Sequence, residues 1–187
     1  MRSTRVPIAD AAIHVAETLA GTHSRDRPAP FVYLSAADIL RPIISPRYTS
    51  TKREAEQCIA ELANRDAALR PVFMRPGFMY HPHNRPWTTV PATMIDASYH
   101  LHRLHRRWRV PVPAPADVVA SRLVPSSFHP LAGALTTPPL HVDTVATAVC
   151  EAIECDDVHG VQDVPSIRQL AGWPADVEAP ADRKRQG

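Results

Sequence analysis

Cysteine is scarce in this 187-residue sequence, and long apolar runs are absent. The cysteines are odd in number and show no Cys-x-x-Cys spacing, which argues against a zinc site or a redox pair and favours free thiols in a reducing compartment. No apolar run approaches the roughly 18 to 20 residues that cross a bilayer. We therefore expect a soluble or peripheral protein. The three cysteines are Cys58, Cys150 and Cys155.

Charge of one sign is not in large excess either. The formal net charge is +2 and the isoelectric point is near 8.6, whereas nucleic-acid-binding domains usually carry a concentrated basic face. We expect no DNA or RNA partner. Histidines occur in two groups, but their spacing matches no known set of metal ligands. We expect no metal site at these positions, which are His81, His83, His100, His102 and His105.

Glycine is also rare, with six residues, no two of which lie within ten positions of each other. This spacing excludes a glycine-rich loop of the kind that holds phosphate groups at the start of a helix. Proline, by contrast, is abundant, and its 20 residues concentrate in 111–140 and near the carboxyl end. We expect extended loop in those regions.

The length and the hydrophobic content of 44% suit one packed domain. We place that domain at residues 1–175 and interpret residues 176–187 as a disordered basic tail. The first residues contain arginines and hydroxyl side chains, as a mitochondrial presequence does. Asp10 and Glu17 are acidic, however, where such a segment has no acids, and they favour an ordinary helix.

Two short apolar runs indicate strands that are buried on both faces. They are "FVYLSAA" at 31–37 and "PVFMRPG" at 71–77. The segment between them, over 50–65, has apolar residues at helical spacing. A strand, a helix and a strand form a βαβ unit with two parallel strands and a right-handed crossover. The sequence therefore predicts an α/β protein. The apolar helix positions are Ala55, Cys58, Ile59 and Leu62.

Shorter patterns predict the elements on either side of this unit. A helix over 7–20 is expected to pack through apolar residues at i, i+4 and i+8, and a helix over 143–155 is expected to begin at an Asp143 cap. A short strand near Val161 and a helical turn from Ser166 follow. The inward positions of the two helices are Ala11, Val15 and Leu19, and Val145, Val149 and Ile153.

A third helix, over 93–109, is apolar on one side and basic on the other. Two interpretations fit this pattern. The helix packs on the protein through Leu101, Leu104 and Trp108, or it lies on an anionic membrane surface. The complete apolar row is Met94, Ala97, Leu101, Leu104 and Trp108.

A serine, a tyrosine and a lysine are predicted to meet at one edge of the sheet. Ser35 ends the first strand, and parallel α/β sheets place ligands outside the carboxyl ends of their strands. Tyr48 follows thirteen residues later, and Lys52 is one helical turn beyond it, on the same side. The turn after the second strand reaches the same edge.

These three side chains suit the reduction of a carbonyl or the oxidation of an alcohol. The reacting oxygen needs a proton donor or acceptor. A free phenol, with a pKa of about 10, transfers protons poorly near neutral pH. An ammonium group nearby favours the phenolate, and a serine hydroxyl adds a second hydrogen bond to the oxygen.

The set resembles the short-chain dehydrogenase/reductase superfamily, whose hallmark is a serine followed by Tyr-x-x-x-Lys. The resemblance implies that Tyr48 is the general acid/base, that Lys52 tunes it and binds the nicotinamide ribose, and that Ser35 orients the substrate oxygen. It implies NAD or NADP as cofactor, with the turn Pro76, Gly77 and Phe78 against the nicotinamide. "HVDTVATAVCEAI" is similar to a late segment of the extended and atypical members.

A narrower likeness lies in the words "YLSA", "TKREAE" and "RPGFM". They resemble atypical members of fungal mitochondria that are subunits of the coenzyme Q biosynthesis complex and relatives of the dehydrogenase-like accessory subunit of respiratory complex I. This resemblance implies a mitochondrial location on the matrix side of the inner membrane. It also implies other subunits of that complex as partners, and peripheral contact with the membrane.

The sequence departs from this family in having no glycine-rich turn before the serine strand. The resemblance therefore implies an incomplete Rossmann-like domain, with the amino-terminal half missing from the sequence or supplied by another polypeptide. We expect weak or absent NAD(P) binding by this chain alone. Two functions stay open: an oxidoreductase when complete, or a non-catalytic structural or assembly subunit.

Overall fold

The protein is described by a computed structural model, in which residues 7–38, 44–81, 89–108, 133 and 135–174 are described. Within these ranges the fold is α/β, with a small parallel sheet flanked by helices, as the sequence predicts. The predicted tail at 176–187 and most of the proline-rich segment lie outside the described residues. The helices are α1 (Pro7–Thr22), α2 (Pro46–Arg65), α3 (Thr89–Trp108), α4 (Val142–Glu154) and α5 (Val164–Leu170).

The described strands form two parallel groups. β1 (Ala29–Leu34), β2 (Leu69–Met74) and β5 (Gly160–Gln162) make one sheet in the order β1-β2-β5. β3 (Met79–Tyr80) and β4 (Leu140–His141) form a separate short pair. The predicted parallel pairing of the first two strands is confirmed, although each begins and ends a few residues earlier than its apolar run suggests.

Helix α2 begins at Pro46 because the residue before it caps the helix. The Ser45 hydroxyl accepts a hydrogen bond from the Arg47 N–H at 3.3 Å, and proline is favoured at the first helical position. The predicted start near Ser50 is therefore late by about one turn. As a consequence, Tyr48 lies inside the helix, one turn before Lys52.

The sheet is covered on both faces. On one face, α1 and α2 pack against Tyr33, Leu69 and Phe73. On the other face, α4 and α5 pack against Val72 and Met74. Alternate residues of β2 thus enter different cores, as expected for a strand buried on both sides.

The buried faces of two helices differ in part from those that the sequence predicts. In α1 the buried residues are small, and Val15, predicted to face inward, is 59% exposed. In α4 the predicted inward residues Val145 and Val149 do pack in the core, but Ile153 is exposed. In both helices alanines are buried against the sheet, because their small side chains let the helix backbone approach it closely. The buried alanines are Ala9, Ala16 and Ala20 in α1, and Ala148 and Ala152 in α4.

The caps of the last two helices also differ from prediction. The side chain that caps α4 belongs to His141, whose Nδ1 accepts from the Asp143 N–H at 3.2 Å, so Asp143 is not the cap. Helix α5 begins at Val164, before the predicted Ser166, because the Asp163 carboxylate accepts from the Ser166 N–H.

β1 is one of the two edge strands of the described sheet. The N–H groups of Ala29 and Ser35 donate to β2 and its flanks at 2.8 Å, and backbone direction alternates along a strand. Pro30, Val32 and Leu34 therefore turn their backbone groups toward the outer edge, where no other strand lies in the described part of the chain. Pro30 has no N–H to offer there.

None of the helices in the described ranges combines the length and the apolarity that a bilayer span requires.

The expectation that α3 packs on the protein through Leu101 and Leu104 is wrong, since these side chains are 51% and 53% exposed. The side chain of Trp108 lies outside the described residues.

A single arginine fastens β2 to the end of α4. The Arg70 guanidinium donates to the carbonyls of Ala152, Ile153 and Val158 at 2.9, 3.0 and 2.6 Å. The last carbonyls of a helix have no partner within the helix, and Arg70 satisfies two of them. The segment that leads into β5 is held by the same group.

We expect Arg70→Met to lower the free energy of unfolding by about 2 kcal/mol or more, because hydrogen bonds from a charged donor are lost at a largely buried position. Urea denaturation of the purified variant measures this loss. The control is Arg65→Met, which removes an arginine whose pair with Glu61 is exposed and should cost less than about 0.5 kcal/mol. Equal losses in both variants would contradict the anchoring role.

Candidate active site

The segments that follow β1 and β2 run side by side at the carboxyl end of the sheet. The Ser35 N–H donates to the Met74 carbonyl at 2.8 Å, and the Ala37 N–H donates to the Pro76 carbonyl at 2.9 Å. Helix α2 starts beside this edge. The structure therefore brings the three predicted segments together in the way that the sequence suggests.

Lys52, of the predicted Tyr48–Lys52 pair, lies beside two tyrosine rings. Its Nζ donates to the Leu34 carbonyl at 2.8 Å and lies 4.7 Å from the ring centroid of Tyr33 and 5.9 Å from that of Tyr48. An ammonium group within about 6 Å of an aromatic face is attracted to it. Burial lowers the pKa of Lys52, and the negative charge of Glu56 opposes this shift only in part.

Tyr48 faces water while its neighbour Tyr33 does not. Tyr48 is 46% exposed, so a ligand can reach its side chain. Tyr33 is buried, and its hydroxyl has no hydrogen-bond partner among the described residues. Burial, followed by the charges of Glu56 and Tyr48, raises the pKa of Tyr33. Tyr33 thus stays a neutral phenol and is a poor general base.

Tyr33 is a residue that the sequence analysis missed. It alternates with Ser35, so both side chains point from β1 toward α2. The period of two along "FVYLS" is the signal that could have found it. Lys52 lies nearer to the Tyr33 ring than to the Tyr48 ring.

Ser35 lies beneath the surface of the site. It is 6% exposed, and its Oγ makes no hydrogen bond of good geometry within the described residues. The hydroxyl nevertheless lies close enough to Glu56 to help lower the pKa of that carboxyl. No hydrogen bond joins Ser35 to Tyr48. Of the predicted trio, Tyr48 and Lys52 are therefore adjacent, while Ser35 faces Glu56.

Glu56 is a buried carboxylate held by two arginines. Arg53 Nη1 donates to it at 2.6 Å, and Arg75 donates through Nε at 3.1 Å and through Nη2. Arg53 also donates to the Ala36 carbonyl at 3.0 Å. Burial raises the pKa of Glu56, but hydrogen bonds from Arg75, the nearby Ser35 hydroxyl and the charges of both arginines hold it below its ordinary value.

The turn after β2 is fixed at both ends. The Pro76 carbonyl accepts from Ala37, and the Phe78 carbonyl accepts from the Leu140 N–H at 2.9 Å. Pro76 is buried, while Gly77 and Phe78 are half-buried. The turn predicted to border a nicotinamide is therefore hydrogen-bonded on one side to the segment after β1 and on the other side to β4.

The described residues fit only one part of a dinucleotide. Lys52 and the accessible side chain of Tyr48 suit a ribose or a carbonyl oxygen. The pyrophosphate needs backbone N–H groups of a glycine-rich turn, which this sequence does not contain. The residues of this chain therefore fit the ribose and the reacting oxygen but not the phosphates of NAD(P).

A second cleft of about 370 Å³ lies apart from the predicted site residues, between α3, the β3–β4 pair and α5. Its walls include two pairs of side chains in aromatic contact. The Tyr80 and His141 rings meet edge-on at 5.3 Å, and the Arg168 guanidinium lies 4.7 Å from the Trp173 ring centroid. Over the described ranges, no three histidine, cysteine or acidic side chains are grouped as metal ligands.

We expect Glu56→Gln to destabilise the fold by about 2–3 kcal/mol near pH 7, because it leaves two arginines without their shared counter-charge. The folded-state pKa of Glu56 lies below its ordinary value of 4.5. Its stabilisation is therefore complete above pH 4.5 and is lost as the pH falls through the folded-state pKa. Chemical denaturation of both proteins between pH 7 and pH 3 should show the difference shrinking in acid.

The matched control is Glu61→Gln, in which the same chemical change removes an exposed pair with Arg65. It should cost less than about 0.5 kcal/mol and show little dependence on pH. A Glu56→Gln variant as stable as this control would disprove the anchoring role of Glu56.

No protein-family model matches the chain, and no solved structure is significantly similar to it. The resemblance to short-chain dehydrogenases/reductases therefore stays a prediction, and the arrangement of Lys52, Tyr48 and Glu56 is the basis for a functional proposal.

Proposed function

We propose that this chain supplies the tyrosine–lysine half of an atypical short-chain dehydrogenase/reductase-like protein of mitochondrial coenzyme Q biosynthesis. The complete protein would act on the matrix side of the inner membrane, together with other subunits of the coenzyme Q complex. The observation that carries this proposal is the position of Lys52, with its ammonium group between the Tyr33 and Tyr48 rings at the carboxyl end of β1.

The chemistry proposed for the pair is proton transfer at a substrate oxygen. The accessible Tyr48 hydroxyl would give or take the proton, and Lys52 would favour the charged form and bind a ribose hydroxyl. NAD or NADP would supply the hydride, held at its phosphates by residues outside this sequence. Pro76, Gly77 and Phe78 would border the nicotinamide.

The free edge of β1 is the proposed place for the missing half to join. A strand added there would pair with the outward backbone groups of Val32 and Leu34. The Leu34 carbonyl, now bonded to Lys52, would then accept from that strand. Lys52 would be released toward Tyr48 and the cofactor. The partner is an amino-terminal half of the same protein or a subunit of the proposed complex.

A second function is favoured by the burial of Ser35. Its hydroxyl lies at the Glu56 cluster, where it does not reach a substrate from the surface. This arrangement fits a protein in which Ser35, Tyr48 and Lys52 serve the fold and not catalysis. The alternative is therefore a non-catalytic structural or assembly subunit of a mitochondrial inner-membrane complex, either the coenzyme Q complex or one like complex I.

We expect the isolated 187-residue chain to bind NAD(H) or NADP(H) weakly or not at all, because it lacks a phosphate-binding turn. Calorimetric titration of the purified chain tests this expectation. Affinity in the micromolar range would overturn the proposal that a second segment completes the cofactor site.

Substitution of Tyr48 in the complete protein separates the two functions. If the pair is catalytic, Tyr48→Phe should lower quinone synthesis in cells that depend on this protein by roughly 100-fold or more, since general acid–base catalysis contributes about that much. Tyr99→Phe removes a hydroxyl elsewhere and should have no effect. Unchanged synthesis with Tyr48→Phe, together with failure when the chain is deleted, would establish the non-catalytic subunit.

A further inference from the structure

Helix α3 carries an apolar row on its outer side. Met94, Leu101 and Leu104 are 69%, 51% and 53% exposed, and Ala97 between them is exposed as well. Steps of three and four residues place all four on one face of the helix. Three large apolar side chains in one exposed row are more than single surface hydrophobics, and such rows mark interaction sites.

The opposite side of α3, which faces the protein, is more polar than the outer side. The half-buried residues of the helix include Ser98, whose Oγ is buried, and His102, whose Nδ1 is buried, and neither atom has a partner among the described residues. An ordinary surface helix turns its apolar stripe inward and its polar face outward. Between Thr93 and His105, α3 instead turns Met94, Leu101 and Leu104 outward, while Ile95 and Tyr99 provide the apolar surface of its half-buried side. Packing on its own fold therefore does not account for the row.

The charges of α3 indicate which kind of surface its exposed apolar row contacts. Residues 89–108 contain three arginines and three histidines against one carboxylate, Asp96, which pairs with His100 at 3.6 Å. His100 is exposed beside the row, and Arg103 is exposed farther around the helix, with its guanidinium 5.7 Å from the Tyr99 ring centroid. Apolar side chains beside cationic ones on a helix are the pattern of segments that lie in the interface of an anionic bilayer.

The position of α3 suits a flat surface. Its main described neighbour is the short strand β3, so the helix lies at the periphery of the fold. With 20 residues, α3 is about 30 Å long, and the apolar row extends along its middle. A planar surface can thus approach α3 along its length.

We propose that α3 lies in the headgroup region of an anionic membrane. Met94, Leu101 and Leu104 enter the acyl boundary, and the positive charge of the helix is attracted to the lipid phosphates. The chain is thereby a peripheral membrane protein with α3 parallel to the bilayer plane. Tyr48 and Lys52 belong to a different helix, so membrane binding is independent of the chemistry proposed for them.

Vesicle sedimentation with the full chain tests this proposal. One set of vesicles contains phosphatidylcholine alone, and in the other about a third of the lipid is phosphatidylglycerol. We expect binding to the anionic vesicles only, weakening steeply as salt rises from about 0.05 M to 0.5 M because the charges become screened. The double variant L101Q/L104Q should lower the partition coefficient by on the order of 10-fold or more.

The control is Val15→Gln, which replaces an equally exposed apolar residue on α1 and should leave vesicle binding unchanged. Circular dichroism and thermal unfolding of each variant should match the parent chain, since the altered side chains are exposed. Equal binding by L101Q/L104Q and the parent would overturn the proposal, as would absence of binding to anionic vesicles. Self-association that depends on Leu101 without vesicle binding would overturn it in favour of a second copy of the chain.

Discussion

The ion cluster around Glu56 positions helix α2 on the sheet, and the candidate site depends on that position. Its carboxylate joins α2 to Arg75 at the end of β2, while Arg53 joins the same helix to the Ala36 carbonyl after β1. Charges removed from water are costly unless they are paired and hydrogen-bonded. Because the cluster satisfies this condition in a single arrangement, it sets where Lys52 and Tyr48 lie relative to the carboxyl ends of the strands.

Lys52 has a second role that is in tension with a catalytic one. Edge strands expose backbone groups that invite pairing with other chains, and proteins often protect them with lysine or proline. Pro30 and Lys52 both act in this way at β1, the first by lacking an N–H and the second by bonding to the Leu34 carbonyl. The same ammonium group cannot fully serve the edge and a bound cofactor. Its environment in a complete protein therefore determines which role it has.

The βαβ unit was predictable because strands buried on both faces are short apolar runs and because α2 has a regular apolar stripe. The site was predictable in part. Glu56 was missed because a carboxylate in "TKREAE" looks like a surface charge, and the sequence alone does not show that Arg75, at the end of another strand, joins Arg53 as its partner. In α3 the period of the apolar residues was correct, but the pattern within one helix does not say which face meets the protein. The same limit explains α1, where the alanine face is buried in place of the Val15 face.

The parallel sheet joins segments at very different distances along the chain. β1 and β2 enclose a single helix, whereas the contact from Arg70 to the Val158 carbonyl, beside the β2–β5 pairing, closes a separation of 88 residues. Closing a longer loop costs more conformational entropy, and long-range pairing is slow. We infer an order of assembly in which the β1–α2–β2 unit forms first and β2 afterwards pairs with β5. The α4–β5–α5 segment docks last. The part of the site that contains Tyr48 therefore forms before β5 joins the sheet.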